Sequence, residues 1–144
     1  MADETNTAAT GLPDRVLVVE DDAILGMTIE QALRDAGIAD VELCTTTDDA
    51  LAAMRRLAPG AIVLDVHLAD RDDGWAIAEM VGAIGPHHPA IVFSTGSPDD
   101  IPENIAEYGT VLEKPYDTDA LVAALREPPR RGLLARLRGA LRPE

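Results

Sequence analysis

Cysteine is all but missing from this chain. Cys44 stands alone, which excludes a disulfide framework and a thiolate metal cluster. Aromatic residues are nearly as scarce, with one Trp, one Phe and two Tyr, so Leu, Ile, Val and Ala must fill the interior. No apolar run approaches the roughly 18 residues that a bilayer span requires. The polar, acidic first 12 residues lack the basic start and apolar centre of a signal peptide. Basic residues are also in short supply: residues 1–125 hold 6 Lys and Arg against 24 Asp and Glu, a charge of −18. Such a body repels nucleic acid, whose phosphates need a basic surface. These absences point to a cytoplasmic protein that does not bind nucleic acid. What remains, 144 residues with a hydrophobic fraction of 47%, suits a single globular domain with a full core.

Apolar periodicity divides the chain. Residues 1–13 read as a flexible leader, 14–126 as the folded domain, and 127–144 as a separate tail. Short apolar runs at Arg15–Glu20, Val41–Cys44, Ala61–Asp65, Ala90–Ser94 and Val111–Glu113 predict five strands. Between them lie helical patterns. One is capped by Asp21 or Asp22 and carries Leu25, Ile29, Ala32, Leu33 and Ala36 to its stop at Gly37. Another opens on a Thr46/Asp49 capping box and turns Leu51, Met54 and Leu57 inward. A third, Trp75–Ile84, follows the acidic turn Asp70–Gly74 and buries Ile77, Met80, Val81 and Ile84. Pro98 to Gly109 is the weakest element, about two turns interrupted by Pro102, and Asp117 or Thr118 caps a last helix with Leu121, Val122 and Leu125. Strands alternating with helices predict an α/β fold, a doubly wound five-stranded parallel sheet flanked by helices.

In such a sheet the carboxyl ends of the strands line one edge, where ligands bind. Glu20-Asp21-Asp22, Asp65, Thr95 and Lys114 all lie at those ends. Three clustered carboxylates are unfavourable unless neutralised, and hard oxygen ligands with room for water suit Mg²⁺. Asp65 then has the chemistry of a nucleophile toward phosphorus, with the Thr95 hydroxyl and the Lys114 ammonium each paired to a phosphoryl oxygen. Each residue also has a plainer reading. Asp22 alone is a helix cap, Thr95 a strand-end hydroxyl, Lys114 a solvated charge, and His87-His88 ordinary surface. The joint placement of Glu20, Asp21 and Asp65 is what separates a site from caps.

The segments Val18-Val19-Glu20-Asp21-Asp22, Leu64-Asp65, Ser94-Thr95-Gly96 and Glu113-Lys114-Pro115-Tyr116 resemble, in order and spacing, the receiver domain of bacterial two-component response regulators. That resemblance implies a flavodoxin-like receiver fold over residues 14–126. It implies Asp65 as phosphoacceptor for a sensor histidine kinase, Mg²⁺ held by Asp21, Asp65, the His67 backbone carbonyl and, mainly through water, Glu20. Thr95 becomes the switch hydroxyl and Lys114 the phosphate-binding lysine, followed by a cis Lys114-Pro115 peptide. Such a domain catalyses its own phosphorylation and dephosphorylation and is not otherwise an enzyme.

Three features depart from the family pattern. Val111 stands where receivers usually carry Tyr or Phe, and the segment from Thr95 to Lys114 is short. Phe93-Ser94-Thr95-Gly96 is similar to the Phe-Ala-Thr-Gly motif of the FAT GUY receivers, a subgroup tied to HWE-type histidine kinases and the general stress response. Residues 126–144 hold 6 Arg against 2 Glu, and the tail places Leu133, Leu134, Leu137 and Leu141 on one face, the pattern of a short basic amphipathic helix. Its readings are a frayed end, docking on the acidic body or a partner, or contact with an anionic membrane. The expectation is a single-domain response regulator, a monomer or weak dimer. It would act as a phosphate sink or relay, or through a downstream protein, without a DNA-binding output. The alternatives are a pseudo-receiver that only binds partners, and a dehalogenase-like phosphatase, which would want an Asp where His67 stands.

Overall fold

The computed structural model describes residues 11–65, Ile77, Ala78, Val81 and residues 88–126. Five strands, β1 (Arg15–Val19), β2 (Asp40–Cys44), β3 (Ala61–Asp65), β4 (Ala90–Thr95) and β5 (Gly109–Glu113), form one sheet in the order β2-β1-β3-β4-β5. Every pairing is parallel. Among the described residues, the helices with both ends defined are α1 (Ala23–Asp35), α2 (Thr47–Leu57), α3 (Glu103–Ala106) and α4 (Thr118–Arg126), with a tight turn at Pro98–Asp100. The chain moves outward from β1 to β2, then crosses back to β3 and proceeds the other way. The direction therefore reverses at the adjacent carboxyl ends of β1 and β3, which is where such sheets open a crevice.

Apolar residues on both sides of each central strand build two cores. On one face Leu17, Val19, Ile62, Leu64, Ile91 and Phe93 pack with Ala50, Ala53 and Met54 of α2 and with Ile77, Ala78, Val81, Ile101 and Ile105. On the other, Val16, Val18, Val63 and Val92 meet Ile29 and Leu33 of α1 and Leu121 and Leu125 of α4. Truncating one of these large side chains to Ala costs about 2–5 kcal/mol. This double burial is why the strand sequences run continuously apolar instead of alternating. None of the helices among the described residues is long and apolar enough to cross a membrane.

Local signals place the elements. The Asp22 carboxylate accepts from the amides of Ile24 and Leu25 at 3.0 and 3.1 Å and fixes the start of α1. Gly37, at φ +107°, follows the end of α1 in a conformation that a side chain would strain. Thr46 Oγ1 accepts from Asp49 N at 3.2 Å, starting α2. Asp117 does the same for α4 through its carbonyl, which accepts from Ala120 and Leu121.

Several expectations need correction. Leu12, within the expected leader, is 2% exposed and packs in the core between α1 and α4. The buried stripe of α2 is Ala50, Ala53 and Met54, with Leu51 and Leu57 only partly covered at its border. Small residues there let α2 lie close to the sheet. On α1 the same is true of Gly26, where an added Cβ would stand 2.7 Å from Leu43 Cδ1. The fifth strand begins at Gly109, not Val111; Gly109 pairs with Ile91 so closely that a side chain there would collide with the Ile91 carbonyl oxygen. Ile77, Ala78 and Val81 are helical and fully buried. The rest of the expected Trp75–Ile84 helix, the Asp70–Gly74 turn, His67, His87, most of the leader and the 127–144 tail lie outside the described residues.

Candidate functional site

β1 carries the chain directly into Glu20, whose amide donates to the Cys44 carbonyl at 3.0 Å. That bond extends the parallel ladder by one residue and turns the Glu20 side chain into the sheet, where it is 2% exposed. Asp21, one residue on, faces solvent, and Asp22 caps α1. The amide of Asp22 also donates to Glu20 Oε2 at 3.2 Å. β3 ends on Asp65, which is 5% exposed. Three consecutive acids thus take three different environments, and carboxylate oxygens of Glu20, Asp21 and Asp65 all lie within 4.8 Å of one another.

Lys114 reaches this cluster from the far side of the sheet. Its amide donates to the Thr95 carbonyl at 2.7 Å, continuing the β4–β5 ladder past the end of β5. Its Nζ stands 3.2 Å from Glu20 Oε1 and 3.8 Å from Asp65 Oδ1. The Lys114-Pro115 peptide is cis. Thr95 is buried at the end of β4, and its Oγ1 accepts from Ser97 N at 2.9 Å, leaving its own proton available to donate.

The electrostatics follow from this crowding. Burial is the main force that pushes the Glu20 carboxyl up to about 7, and a hydrogen bond with Asp65 and the Asp65 charge add to it. The Asp22 amide and Lys114 pull the other way without cancelling the effect. At Lys114 burial disfavours the ammonium, but the charges of Asp65 and Glu20 outweigh it and hold its pKa above the ordinary lysine value. One ammonium among three carboxylates leaves the site electron-rich. A cation bound to such oxygens would offset the negative charge gathered there, so the donor set fits a hard divalent ion.

The structure therefore brings Glu20, Asp21, Asp65 and Lys114 together, with Thr95 at the end of the adjoining strand. The His67 carbonyl lies outside the described residues. His88 sits before β4, at the opposite end of that strand; it is half-buried against Tyr108, with ring centroids 6.4 Å apart. Sequence reasoning passed over one contact altogether: the Ser94 and Tyr116 hydroxyls are 2.8 Å apart beside the site. Nothing in spacing joins residues 22 positions apart; the only hint was Ser94 standing where the similar motif has Ala.

The family model for the response regulator receiver domain matches residues 16–126. The chain belongs to the response regulator receiver family. It is 37% identical over 105 residues to protein-glutamate methylesterase/protein-glutamine glutaminase 1 of Anaeromyxobacter dehalogenans, a match that covers 70% of this chain and 29% of that enzyme. Among solved structures it is similar to a CheY-like receiver domain from Methylobacillus flagellatus, with 26% identity and a TM-score of 0.66 over 75% of this chain and 92% of that one. It is also similar to the PhyR stress response regulator, with 25% identity and a TM-score of 0.65 over 85% of this chain and 48% of that one. The chain spans 29–61% of the length of the curated relatives it matches.

Proposed function

We propose that this receiver takes a phosphoryl group on Asp65 from the phosphohistidine of a sensor kinase, in a Mg²⁺-dependent reaction, and passes the signal on through protein contacts. The observation that carries the reading is Lys114 Nζ held 3.2 Å from Glu20 and 3.8 Å from Asp65 within a cluster of three carboxylates. In this reading an Asp65 oxygen attacks phosphorus as the P–N bond breaks. The electron pair leaves on the donor imidazole, which takes up a proton. Lys114 pairs with one phosphoryl oxygen and the Thr95 hydroxyl donates to another, so that both stabilise charge where it develops. Glu20, Asp21 and Asp65, with the His67 carbonyl, would hold the Mg²⁺, which neutralises phosphoryl oxygens when bound.

Exposed apolar residues beside the site support a protein partner. Ile24 and Met27 on α1 are 78% and 61% exposed, one turn apart and next to Asp21 and Asp22. The likeness to PhyR and the Phe93-Ser94-Thr95-Gly96 motif support a stress-response setting with an HWE-type kinase. We read the domain as a phosphate sink or relay whose aspartyl phosphate is short-lived. Ser97, two residues after Thr95, is polar and exposed and would admit water in line with the phosphorus; His67, two residues after Asp65, is a polar residue in the sequence.

The test is transfer from autophosphorylated kinases to the purified chain with Mg²⁺, followed by decay of the label. Labelling that Asp65→Ala abolishes and that decays within minutes is expected. Lifetimes of many hours contradict the sink. Failure to accept phosphate from any kinase or from acetyl phosphate contradicts the acceptor role and favours a module that only binds partners.

A further inference from the structure

The hydroxyl pair Ser94–Tyr116 lies where the acidic and basic halves of the site meet. Ser94 is paired in register with Asp65 across β3 and β4, so both side chains leave the same face of the sheet. Ser94 is 1% exposed, and its Oγ is 2.8 Å from the Tyr116 hydroxyl. Tyr116 in turn follows Lys114 by two residues, on the strap that leads from β5 to α4. That strap has weak support. β5 is an edge strand with one partner, β4, and none of its residues is fully buried. Among the described residues, the Ser94–Tyr116 bond, the partial packing of the Tyr116 ring against the core between the sheet, α1 and α4, and Lys114's own contacts with the acids tie residues 114–117 to the sheet.

A lysine carries large rotamer freedom, and its ammonium is useful here only if held over the Asp65 oxygen. The backbone bond from Lys114 N to Thr95 O fixes where the side chain starts, but not the course of the chain after Pro115. The neighbouring aromatic adds a second anchor on the face that Asp65 occupies. Burial raises the Tyr116 phenol above its ordinary value despite the Ser94 bond and Lys114, so the hydroxyl stays protonated at neutral pH and keeps this bond.

We propose that Tyr116, through its hydrogen bond to Ser94, is a positioning residue that holds the Lys114 strap so that the ammonium is aligned on Asp65 and on the phosphoryl group it receives. This rests on Asp65 being the acceptor, and it adds a role for two hydroxyls outside the acid–lysine–threonine set. The bond does not react; the covalent step stays that of Asp65.

The experiment uses the full chain as wild type, Tyr116→Phe, Ser94→Ala and the double variant. Acetyl phosphate with Mg²⁺ is the donor, so that P–O cleavage releases acetate and the label forms on Asp65. Tyr116→Phe keeps the ring and its packing but removes the hydroxyl. Labelling slowed about fivefold to tenfold is expected, the scale of one lost hydrogen bond in the transition state. Ser94→Ala should match it, and the double variant should be no slower than either single, because all three remove the same bond. Mg²⁺ affinity should barely move, and the melting temperature should fall by the few degrees that one lost buried hydrogen bond costs, whereas a merely structural role would lower the melting temperature in the same way and leave the rate alone.

A second readout does not require labelling. The Lys114 side-chain ammonium signal in ¹⁵N NMR should broaden or vanish in Tyr116→Phe through faster exchange with water. Wild-type labelling rates in both single variants, additive losses, or an unchanged ammonium signal would each overturn the proposal. A wild-type chain that takes no label contradicts the acceptor reading instead, and the ammonium signal still decides this one.

Discussion

The two halves of the site are built to different standards. The acids Glu20 and Asp65 hang from β1 and β3, strands that are flanked on both sides and buried along nearly their whole length. Lys114 and Tyr116 follow β5, an edge strand of half-covered residues. The difference has a physical logic. Carboxylates forced together gain from rigid placement, because their mutual repulsion becomes affinity for a cation or an ammonium. The cationic half leaves an edge strand, so its placement depends on local anchors, the Thr95 carbonyl under Lys114 and the Ser94 hydroxyl under Tyr116. The central strands thus set the charge problem, and the edge strand supplies the cation that answers it.

The sharpest way to break that division is to remove the cation. Lys114→Met should slow labelling by about a hundredfold or more, the usual effect of deleting a group that stabilises developing charge. It should also push the Glu20 carboxyl further up, since Lys114 is one of the two influences lowering it. Acceptor rates measured with acetyl phosphate check this. A rate within threefold of wild type would show that the edge half contributes nothing.

The acid half makes a prediction in pH. With the Glu20 pKa raised from 4.5 to about 7, the folded chain holds a proton that the unfolded chain has lost between those values. Stability of the metal-free protein should therefore fall as pH rises through that window and level off above it, by about 3 kcal/mol at the most. Urea unfolding at a series of pH values measures it. Glu20→Gln should flatten the slope. Mg²⁺ should restore stability on the alkaline side, adding about 2.7 kcal/mol at 100 times its dissociation constant. A curve that rises through this window contradicts the buried-acid picture.

The seat of the edge strand can be tested apart from its chemistry. Gly109→Ala puts a methyl group against the Ile91 carbonyl, and the collision is with backbone, which cannot rotate away. A loss of about 1–3 kcal/mol is expected, seen as a lower melting temperature, with labelling slowed as β5 and Lys114 shift together. An unchanged melting temperature would mean that β5 is looser than its register implies.

The smallest effect concerns Cys44 at the end of β2. It is buried, and burial raises its thiol to about 11. Its reaction with a maleimide at pH 8 should be far slower than that of a free thiol and should accelerate on adding urea. Rapid native-state modification would show the β2 edge opening.

Much of this was legible in the sequence because the residues concerned sit at ends of apolar runs. Val16–Val19 and Ala61–Leu64 announce buried parallel strands, and the acids that follow them fall on one edge by topology alone. Asp22 as a cap and Gly37 as a stop are local signals of the same kind. Packing details were not legible. The inward face of α2 is Ala50 and Ala53, where hydrophobicity pointed to Leu51 and Leu57, because close approach to the sheet selects small side chains. Leu12 looked like part of a leader, since a single apolar residue has no periodicity to reveal its pocket. The Ser94–Tyr116 bond joins β4 to the strap between β5 and α4 and exists only in three dimensions.

The central claim is that the rim of this sheet makes Asp65 a phosphoacceptor. The most direct test is to treat the chain with acetyl phosphate and Mg²⁺, reduce any acyl phosphate with borohydride, and map the product by peptide mass spectrometry. The account predicts homoserine at position 65 and nowhere else, formed with Mg²⁺ and absent with chelator. Reduction at another carboxylate, or none at all under conditions where a known receiver is labelled, would contradict it.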